Sequence, residues 1–155
     1  MKLSQKTTLW IVFLLASISI AFSGYSEYIN GILPCRLCIT QRIIHFALLS
    51  TSALGIFSRF TNFAWTLCIL LLFISFFVAS YHGLIQIGIL KDRCSFSENI
   101  ADISSFKRML EKPHVPCSTI SLHFLNIPIS MLNAMSSLLI FCFLFAVKKI
   151  QDSHA

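Results

Sequence analysis

Four of the six cysteines form two pairs whose spacing could support either redox chemistry or metal binding. The first pair is Cys35 and Cys38, directly after Pro34. A Cys-x-x-Cys at the start of a helix lies in the partial positive charge of that end, which stabilises the reactive thiolate. The two intervening residues let the sulfurs form a disulfide, but the same spacing occurs in half of a metal site. This short, common motif leaves both chemistries open.

The second pair, Cys94 and Cys117, favours redox chemistry. These cysteines lie 23 residues apart, unlike a second Cys-x-x-Cys metal motif, and the spacing suits a disulfide that closes a flexible loop. The remaining cysteines, Cys68 and Cys142, lie within apolar stretches. Buried cysteine behaves as a small hydrophobic residue, so we expect those two to pack.

Three further side chains could act beside the first pair. Arg42 follows Cys38 by four residues, so one helical turn places both on the same face. Its guanidinium could stabilise a thiolate or donate hydrogen bonds to an oxygen that gains charge. The alternative is an ordinary arginine that extends its charged end to the membrane surface. His45 continues this face, and His82 lies near the end of the third helix, where each could contact a ligand or a polar interior group.

Composition indicates which elements hold these residues. The 155-residue chain is 56% hydrophobic and only 12% charged, about half the charged fraction of a soluble domain. A membrane-spanning helix needs roughly 20 mostly apolar residues, and its backbone must form hydrogen bonds within the segment. The sequence predicts an all-α membrane protein, a four-transmembrane-helix bundle that forms one domain over residues 1–155. The predicted helices cover residues 8–28, 37–57, 63–86 and 128–147.

The first segment has an alternative interpretation as a cleavable signal peptide. Lys2 and Lys6 precede it, and small residues occur near Ser23. The apolar stretch continues to Tyr25, however, and its removal would leave three helices. Glu27, which follows, is expected at the membrane surface. The net charge of +6 is not organised into a basic stripe with interleaved aromatics, which excludes a typical nucleic-acid-binding protein.

Four helices place the two cysteine-bearing connections, residues 29–36 and 91–126, on the same side of the membrane. In the second connection, apolar residues recur every third position from Ile100 to Met109. This pattern predicts a short amphipathic helix, either on the membrane surface or packed within the loop.

At this point the sequence resembles the disulfide bond formation protein B family. The resemblance lies in Pro-Cys-x-x-Cys followed four residues later by Arg42, in a four-helix membrane protein with a late cysteine pair. Two stretches, Val115-Pro116-Cys117-Ser118 and Tyr81-His82-Gly83, are similar to the BdbC-like branch. The resemblance covers nearly the whole chain, from about Trp10 to Val147.

The resemblance implies a membrane thiol oxidase with two disulfides, Cys35–Cys38 and Cys94–Cys117. It implies that Cys38 lies next to a quinone (ubiquinone or menaquinone), with Arg42 at the quinone site. A reduced extracytoplasmic thioredoxin-fold thiol oxidase would attack Cys94, and Cys117 would then relay electrons to Cys35. The protein would thus reoxidise that partner and pass two electrons to the quinone. By position, His45 and His82 are further predicted quinone contacts.

Orientation is predicted from this chemistry, because persistent disulfides need a non-reducing compartment. Counted over all connections, seven basic residues lie on the cysteine side and five on the side of the termini. That count alone favours the opposite orientation under the positive-inside rule, but around the first helix Lys2 and Lys6 outweigh Arg36. We therefore expect a multi-pass protein of the bacterial inner membrane with both termini cytoplasmic and both cysteine loops extracytoplasmic.

Three alternatives remain. A thiolate metal-binding membrane protein or transporter would use the four paired cysteines as ligands for a soft metal. A reductase of the vitamin K epoxide reductase type would be expected to carry its redox motif late in the chain, whereas here it opens the second helix. A structural membrane protein with incidental cysteines is the third alternative.

Overall fold

The computed structural model describes residues 5–92, 115–119, 123–124 and 127–152. It contains four long helices, each long and apolar enough to cross a membrane. Their bounds are Gln5–Tyr28 (α1), Arg36–Phe57 (α2), Thr61–Gln86 (α3) and Ile129–Asp152 (α4). This confirms the predicted class of a four-helix membrane bundle.

Neighbouring helices in the chain are also neighbours in space. The closest packing joins α1 to α2, α2 to α3 and α3 to α4. A core of buried side chains lies between them, with Trp65 2% exposed and Cys68 fully buried. On α1 the core residues Leu9, Val12 and Ala16 recur every three or four positions, which is the spacing of one helix face. Cys68 packs as expected, but Cys142 is exposed on α4 and does not pack in this core.

A tight turn brings the chain from α1 back into α2. Gly31 has a φ of +65°, a left-handed conformation that glycine adopts without steric cost. The backbone N–H of Ile32 donates to the carbonyl oxygen of Ser26 at 3.1 Å, which closes the end of α1. The N-cap of α2 is Cys35, whose sulfur accepts a hydrogen bond from the backbone N–H of Cys38. The turn and cap therefore hold the first cysteine pair at one end of the bundle.

Helix ends differ from the predicted ones where polar residues extend a helix. The first helix begins at Gln5 rather than 8, and the last continues to Asp152 rather than 147. Both extensions carry lysines, which lie outside the apolar part of the membrane. The helices continue through them because the backbone hydrogen bonds of a helix do not have to end where the chain leaves the membrane. The third helix begins at Thr61 rather than 63, and the Thr61 hydroxyl donates to the carbonyl oxygen of Gly55. The second begins at Arg36, one residue early.

A minimal β-ladder precedes α4, where the sequence predicts only a loop. Strands His123–Phe124 (β1) and Ile127–Pro128 (β2) pair antiparallel, with His123 opposite Pro128. Pro128, predicted to open the last helix, instead ends β2, and α4 begins one residue later. Cys94 and the predicted amphipathic helix over 100–109 lie outside the described residues.

Close packing at Gly55 predicts that a larger residue there would lower the stability of the protein. A Cβ at this position would lie 2.6 Å from the Cβ of Ala64 and 2.7 Å from a methyl of Leu9. Ala64 has no side-chain torsion with which to move away, so α2 and α3 would have to separate. We expect Gly55→Ala to destabilise the protein by about 1–3 kcal/mol, the usual cost of overpacking, measured as a lower melting temperature in detergent. Gly24→Ala is the control, because a Cβ at Gly24 meets nothing within 4 Å; equal melting temperatures for the two variants would contradict this account.

Candidate functional site

The first cysteine pair lies at the start of α2 with its two sulfurs adjacent. The Sγ atoms of Cys35 and Cys38 are 2.8 Å apart and share a hydrogen bond. Cys35 is buried and Cys38 is partly buried. Because the atoms already touch, closing a disulfide requires only a small movement of the side chains. The hydrogen bond with Cys38 and burial together raise the pKa of the Cys35 thiol to about 12.

Cys117, from the connection before α4, joins this pair in a small buried cluster. Its side chain has no exposed surface and packs with Cys35 and Ile85, while Leu37 and Cys38 border the cluster. Three of the four cysteines predicted to carry redox chemistry therefore meet at one end of the bundle. The fourth, Cys94, is outside the described residues.

His82 faces Cys35 rather than the lipid. Its ring is 2% exposed, and its Nε2 lies 3.5 Å from the Sγ of Cys35. The other ring nitrogen, Nδ1, lies 3.2 Å from the Nε2 of Gln41. Gln41 is also bonded on its far side, where its Oε1 accepts from the Nδ2 of Asn133 at 3.2 Å. The hydrogen bonds thus form a chain from α4 through α2 and α3 to Cys35.

Arg42 is fixed by the last turns of α1. Its Nη1 donates to a carboxylate oxygen of Glu27 at 2.5 Å, and its Nε donates to the Ser23 hydroxyl at 3.0 Å. The Arg42 Nη2 donates to the Ser23 carbonyl oxygen at 3.4 Å. Glu27, expected only at the membrane surface, is thus the ion-pair partner of the predicted site arginine. About a fifth of each side chain is exposed, 21% for Arg42 and 24% for Glu27.

His45 has a different environment from His82. Its Nδ1 lies 2.7 Å from the backbone carbonyl oxygen of Gln41, one turn earlier in α2. A carbonyl oxygen only accepts, so Nδ1 carries the proton and Nε2 is the acceptor of the neutral ring. His45 therefore offers an acceptor where Arg42 offers donors.

One cavity joins these residues. It has a volume of about 520 Å³ and is lined by residues of all four helices and of the connections before α2 and α4. Its walls include the predicted site residues Cys35, Cys38, Arg42, His45 and His82. Pockets of 300–1,000 Å³ that are mainly apolar with a few placed polar groups are typical of small-molecule sites. The arrangement can hold a molecule of moderate size against Cys38 and Arg42.

A metal alternative can be weighed at the same place. Within the part of the chain that the structure describes, Cys35, Cys38 and His82 bring their donor atoms within 4.8 Å of one another. Gln41 places its amide nitrogen against His82 Nδ1, so the neutral ring carries its proton on Nε2, the atom that faces the sulfurs. A metal ion bound here through Nε2 would require the ring to carry its proton on Nδ1 instead, with the Gln41 amide oxygen turned towards it.

Sequence reasoning missed several polar residues of the cavity. Gln41, Asn133 and Ser23 were not singled out, and neither was Gln86, which accepts a hydrogen bond from the Ser130 hydroxyl. The signal available for them was polarity itself: amide side chains within apolar membrane segments usually face a bundle interior or cavity. Their partners lie on other helices and could not be deduced from spacing.

A comparison with protein families covers nearly the whole chain. Residues 5–147 match the family "Disulfide bond formation protein DsbB". No curated protein matches the sequence. The matched range contains the whole of α1, α2 and α3, α4 as far as Val147, and every cysteine of both pairs.

Proposed function

We propose a function from one premise: this chain belongs to the DsbB family of disulfide bond formation proteins, whose pattern covers nearly all of it. It is therefore a multi-pass membrane oxidoreductase of disulfide bond formation. The proposal is that it reoxidises an extracytoplasmic thioredoxin-fold dithiol oxidase and passes two electrons to a membrane quinone. Placement in the BdbC-like branch stays a prediction.

The observation that carries this proposal is the shared cavity. Cys38 and Arg42 both line it, and Cys35 connects Cys38 to the buried Cys117 on the other side. Electrons that arrive at Cys117 can thus reach Cys38 by thiol exchange between touching side chains, and Cys38 faces a space that fits a small molecule.

A quinone head group suits this cavity in size and polarity. When bound, a quinone accepts two electrons and two protons. Arg42 would hold it by donating to one oxygen, where the fixed cation also stabilises negative charge. His45 is the better histidine candidate for a second contact, because both ring nitrogens of His82 already have protein partners. The accepting Nε2 of His45 would suit the hydroxyl of the reduced quinol rather than the carbonyl oxygen of the quinone.

The chain's own cysteines perform two exchanges. The partner's thiolate attacks Cys94, the Cys94–Cys117 bond breaks, and Cys117 leaves as a thiolate. Cys117 attacks Cys35, the Cys35–Cys38 bond breaks, and Cys38 becomes the thiolate. The partner's second cysteine then attacks its own mixed-disulfide sulfur, leaves oxidised and releases Cys94. Cys94 next attacks Cys117, the Cys117–Cys35 bond breaks, and Cys35 leaves as a thiolate while the Cys94–Cys117 bond forms again. Two electrons have then moved from the partner to Cys35 and Cys38.

We also propose the orientation stated from sequence, with both termini cytoplasmic and the cysteine end extracytoplasmic in the bacterial inner membrane. Cys35 and Cys117 lie together at one end of the bundle, and the α2–α3 connection with Arg59 lies at the other. Disulfides at the cysteine end persist only in a non-reducing compartment.

The direct test uses purified full-length protein in detergent with a soluble quinone and a reduced thioredoxin-fold dithiol protein. Oxidation of the dithiol and reduction of the quinone, in equal amounts and only when both are present, would support the proposal. Dithiol oxidation that continues without quinone would overturn it.

The metal-binding alternative has one observation in its favour, the three clustered donor atoms of Cys35, Cys38 and His82. It predicts zinc or copper in stoichiometric amount in the purified protein. It also predicts no change in thiol titre when quinone is added, whereas the oxidoreductase loses its titratable thiols.

Replacing Cys117 should trap the partner. In Cys117→Ser no cysteine remains to pass electrons from Cys94 to Cys35 and Cys38. Cys94 also has no disulfide partner. We expect the Cys94 thiolate to attack the disulfide of an oxidised partner, which joins Cys94 to the partner's first cysteine and releases the partner's second cysteine as a thiolate. With no Cys117 to displace the partner again, this covalent complex should accumulate, visible on a non-reducing gel and released by reductant. Cys142→Ser, on the exposed face of α4, is the matched control and should yield none. Equal yields from the two variants would contradict the relay role.

A further inference from the structure

A chain of three polar side chains, one each from α4, α2 and α3, ends at the sulfur of Cys35. Asn133 donates to Gln41, Gln41 lies against His82 Nδ1, and His82 Nε2 lies against Cys35. His82 is nearly fully buried, so these contacts occur in an apolar setting where an unmatched polar group is costly. The direction of each hydrogen bond therefore matters.

The direction follows from the first bond. Asn133 places its amide nitrogen against Gln41 Oε1, so the Gln41 oxygen is the acceptor of that pair. The Gln41 amide nitrogen then points at His82 Nδ1, and an amide nitrogen only donates. Nδ1 is consequently the acceptor, and the neutral ring must carry its proton on Nε2. That proton points at the sulfur of Cys35.

We propose that Gln41 and Asn133 are positioning residues that hold His82 as the Nε2–H tautomer, so that its ring donates a hydrogen bond to the Cys35 sulfur and stabilises the Cys35 thiolate. His82 thereby acts on the cysteine pair rather than on the bound oxidant, which differs from its predicted role as a quinone contact.

The chemical need for such a donor rests on the proposed function. To restore the Cys35–Cys38 disulfide, both thiols lose their protons, one S–S bond forms, and two electrons and two protons pass to the quinone. Burial and the hydrogen bond with Cys38 hold the pKa of Cys35 at about 12, so this thiol is a weak nucleophile on its own. The hydrogen bond from His82 acts in the opposite direction and lowers the pKa of Cys35.

The ionisable groups around Cys35 are few in the described part of the chain. Cys38 adjoins it from α2, His82 from α3, and Cys117 from the connection before α4. Arg42 shares the cavity wall, but α1 supplies Glu27 as its partner. Of these groups, His82 is the one whose hydrogen bond to Cys35 is set by Gln41 and Asn133.

The test measures the thiolate of Cys35 directly, without quinone or partner. Reduced full-length protein in detergent is alkylated with iodoacetamide at a fixed pH of about 9, near the titration of an ordinary thiol, and mass spectrometry follows modification at Cys35. We expect His82→Phe to slow this reaction about tenfold, the equivalent of one pKa unit. Gln41→Leu and Asn133→Leu should each also slow the alkylation of Cys35. Each removes a hydrogen bond that holds the His82 ring as the Nε2–H tautomer, so the Nδ1–H tautomer becomes accessible.

Ser136→Ala is the matched control. Ser136 lies on the same helix and in the same cavity as Asn133, but it donates to a backbone oxygen of its own helix. It should leave the alkylation rate unchanged. A rate unaffected by Asn133→Leu and Gln41→Leu, in variants that melt like wild type, would overturn the positioning role.

A second measurement does not depend on those variants folding. Protein labelled with ¹⁵N-histidine reports the tautomer of each ring through its two nitrogen shifts, and comparison with His82→Phe assigns the signal. The Nε2–H form at His82 is expected, and the Nδ1–H form would overturn the proposal. Neither measurement requires quinone turnover, so failure of the proposed function would leave both results unaffected, and their failure would not touch quinone-dependent oxidation.

Discussion

We expect Cys38→Ser to abolish the proposed quinone-dependent oxidation of a dithiol partner, reducing it to the rate seen without the protein. A hydroxyl cannot form the Cys35–Cys38 disulfide or act as a thiolate, and Cys38 is the sulfur of the pair that shares the cavity wall with Arg42. Cys35 is left without its neighbour at 2.8 Å, so its thiolate should attack Cys117, against which it packs. In the proposed Cys94–Cys117 disulfide this exchange forms a Cys35–Cys117 bond and releases Cys94 as a thiolate. The measurement is the stopped assay for quinone reduction together with peptide mapping of the disulfides.

The matched control is Cys142→Ser, which removes an exposed thiol from α4 outside the cavity. It should turn over like wild type. If Cys38→Ser keeps near-wild-type activity, the helix-2 pair is not the electron donor to the quinone, and the route through the cavity is wrong.

The bundle could be predicted because its cause is local in sequence. Long charge-free stretches must form helices in lipid, and four of them fix which connections share a side. The contact between Cys35 and Cys117 follows in outline, because parity brings both connections to one end. The ends of the helices were less predictable, because residues such as Lys149 end a membrane span without ending a helix.

The site was only partly predictable, for a different physical reason. Spacing along α2 places Arg42 on the face of Cys38, since one helical turn relates them. It cannot reveal that Glu27 and Ser23 of α1 hold the guanidinium, or that Asn133 of α4 reaches Gln41. Those pairings depend on how the helices rotate against one another. Helix rotation is set by core packing, such as Leu9 against Gly55, which a single sequence does not encode in any short pattern.

Arg42→Ala should cost about 10²–10³ in kcat/KM for the quinone, the usual effect of removing one placed donor to a developing negative charge. The kcat/KM for the dithiol partner should not change, because in the proposed scheme that constant reports the partner's attack on Cys94 and not events at this wall of the cavity. The kcat/KM of Arg42→Lys for the quinone should lie between those of wild type and Arg42→Ala. An ammonium keeps the charge, but it cannot donate to Ser23 and Glu27 at the same time as the planar guanidinium does. Initial rates with quinone and partner varied separately measure both constants.

The variant Arg42→Ala also leaves Glu27 without its cation, and a stranded carboxylate could itself repel an oxygen that gains charge. The double variant Arg42→Ala/Glu27→Ala separates the two causes, because the pair interacts at 2.5 Å and its effects should not add. If the lost cation is responsible, removing Glu27 as well restores little activity. If the stranded carboxylate is responsible, the double variant recovers most of it, and Arg42 then serves to neutralise Glu27 rather than to stabilise charge on the oxidant. A lower kcat/KM for the partner with an unchanged kcat/KM for the quinone would remove Arg42 from the quinone site altogether.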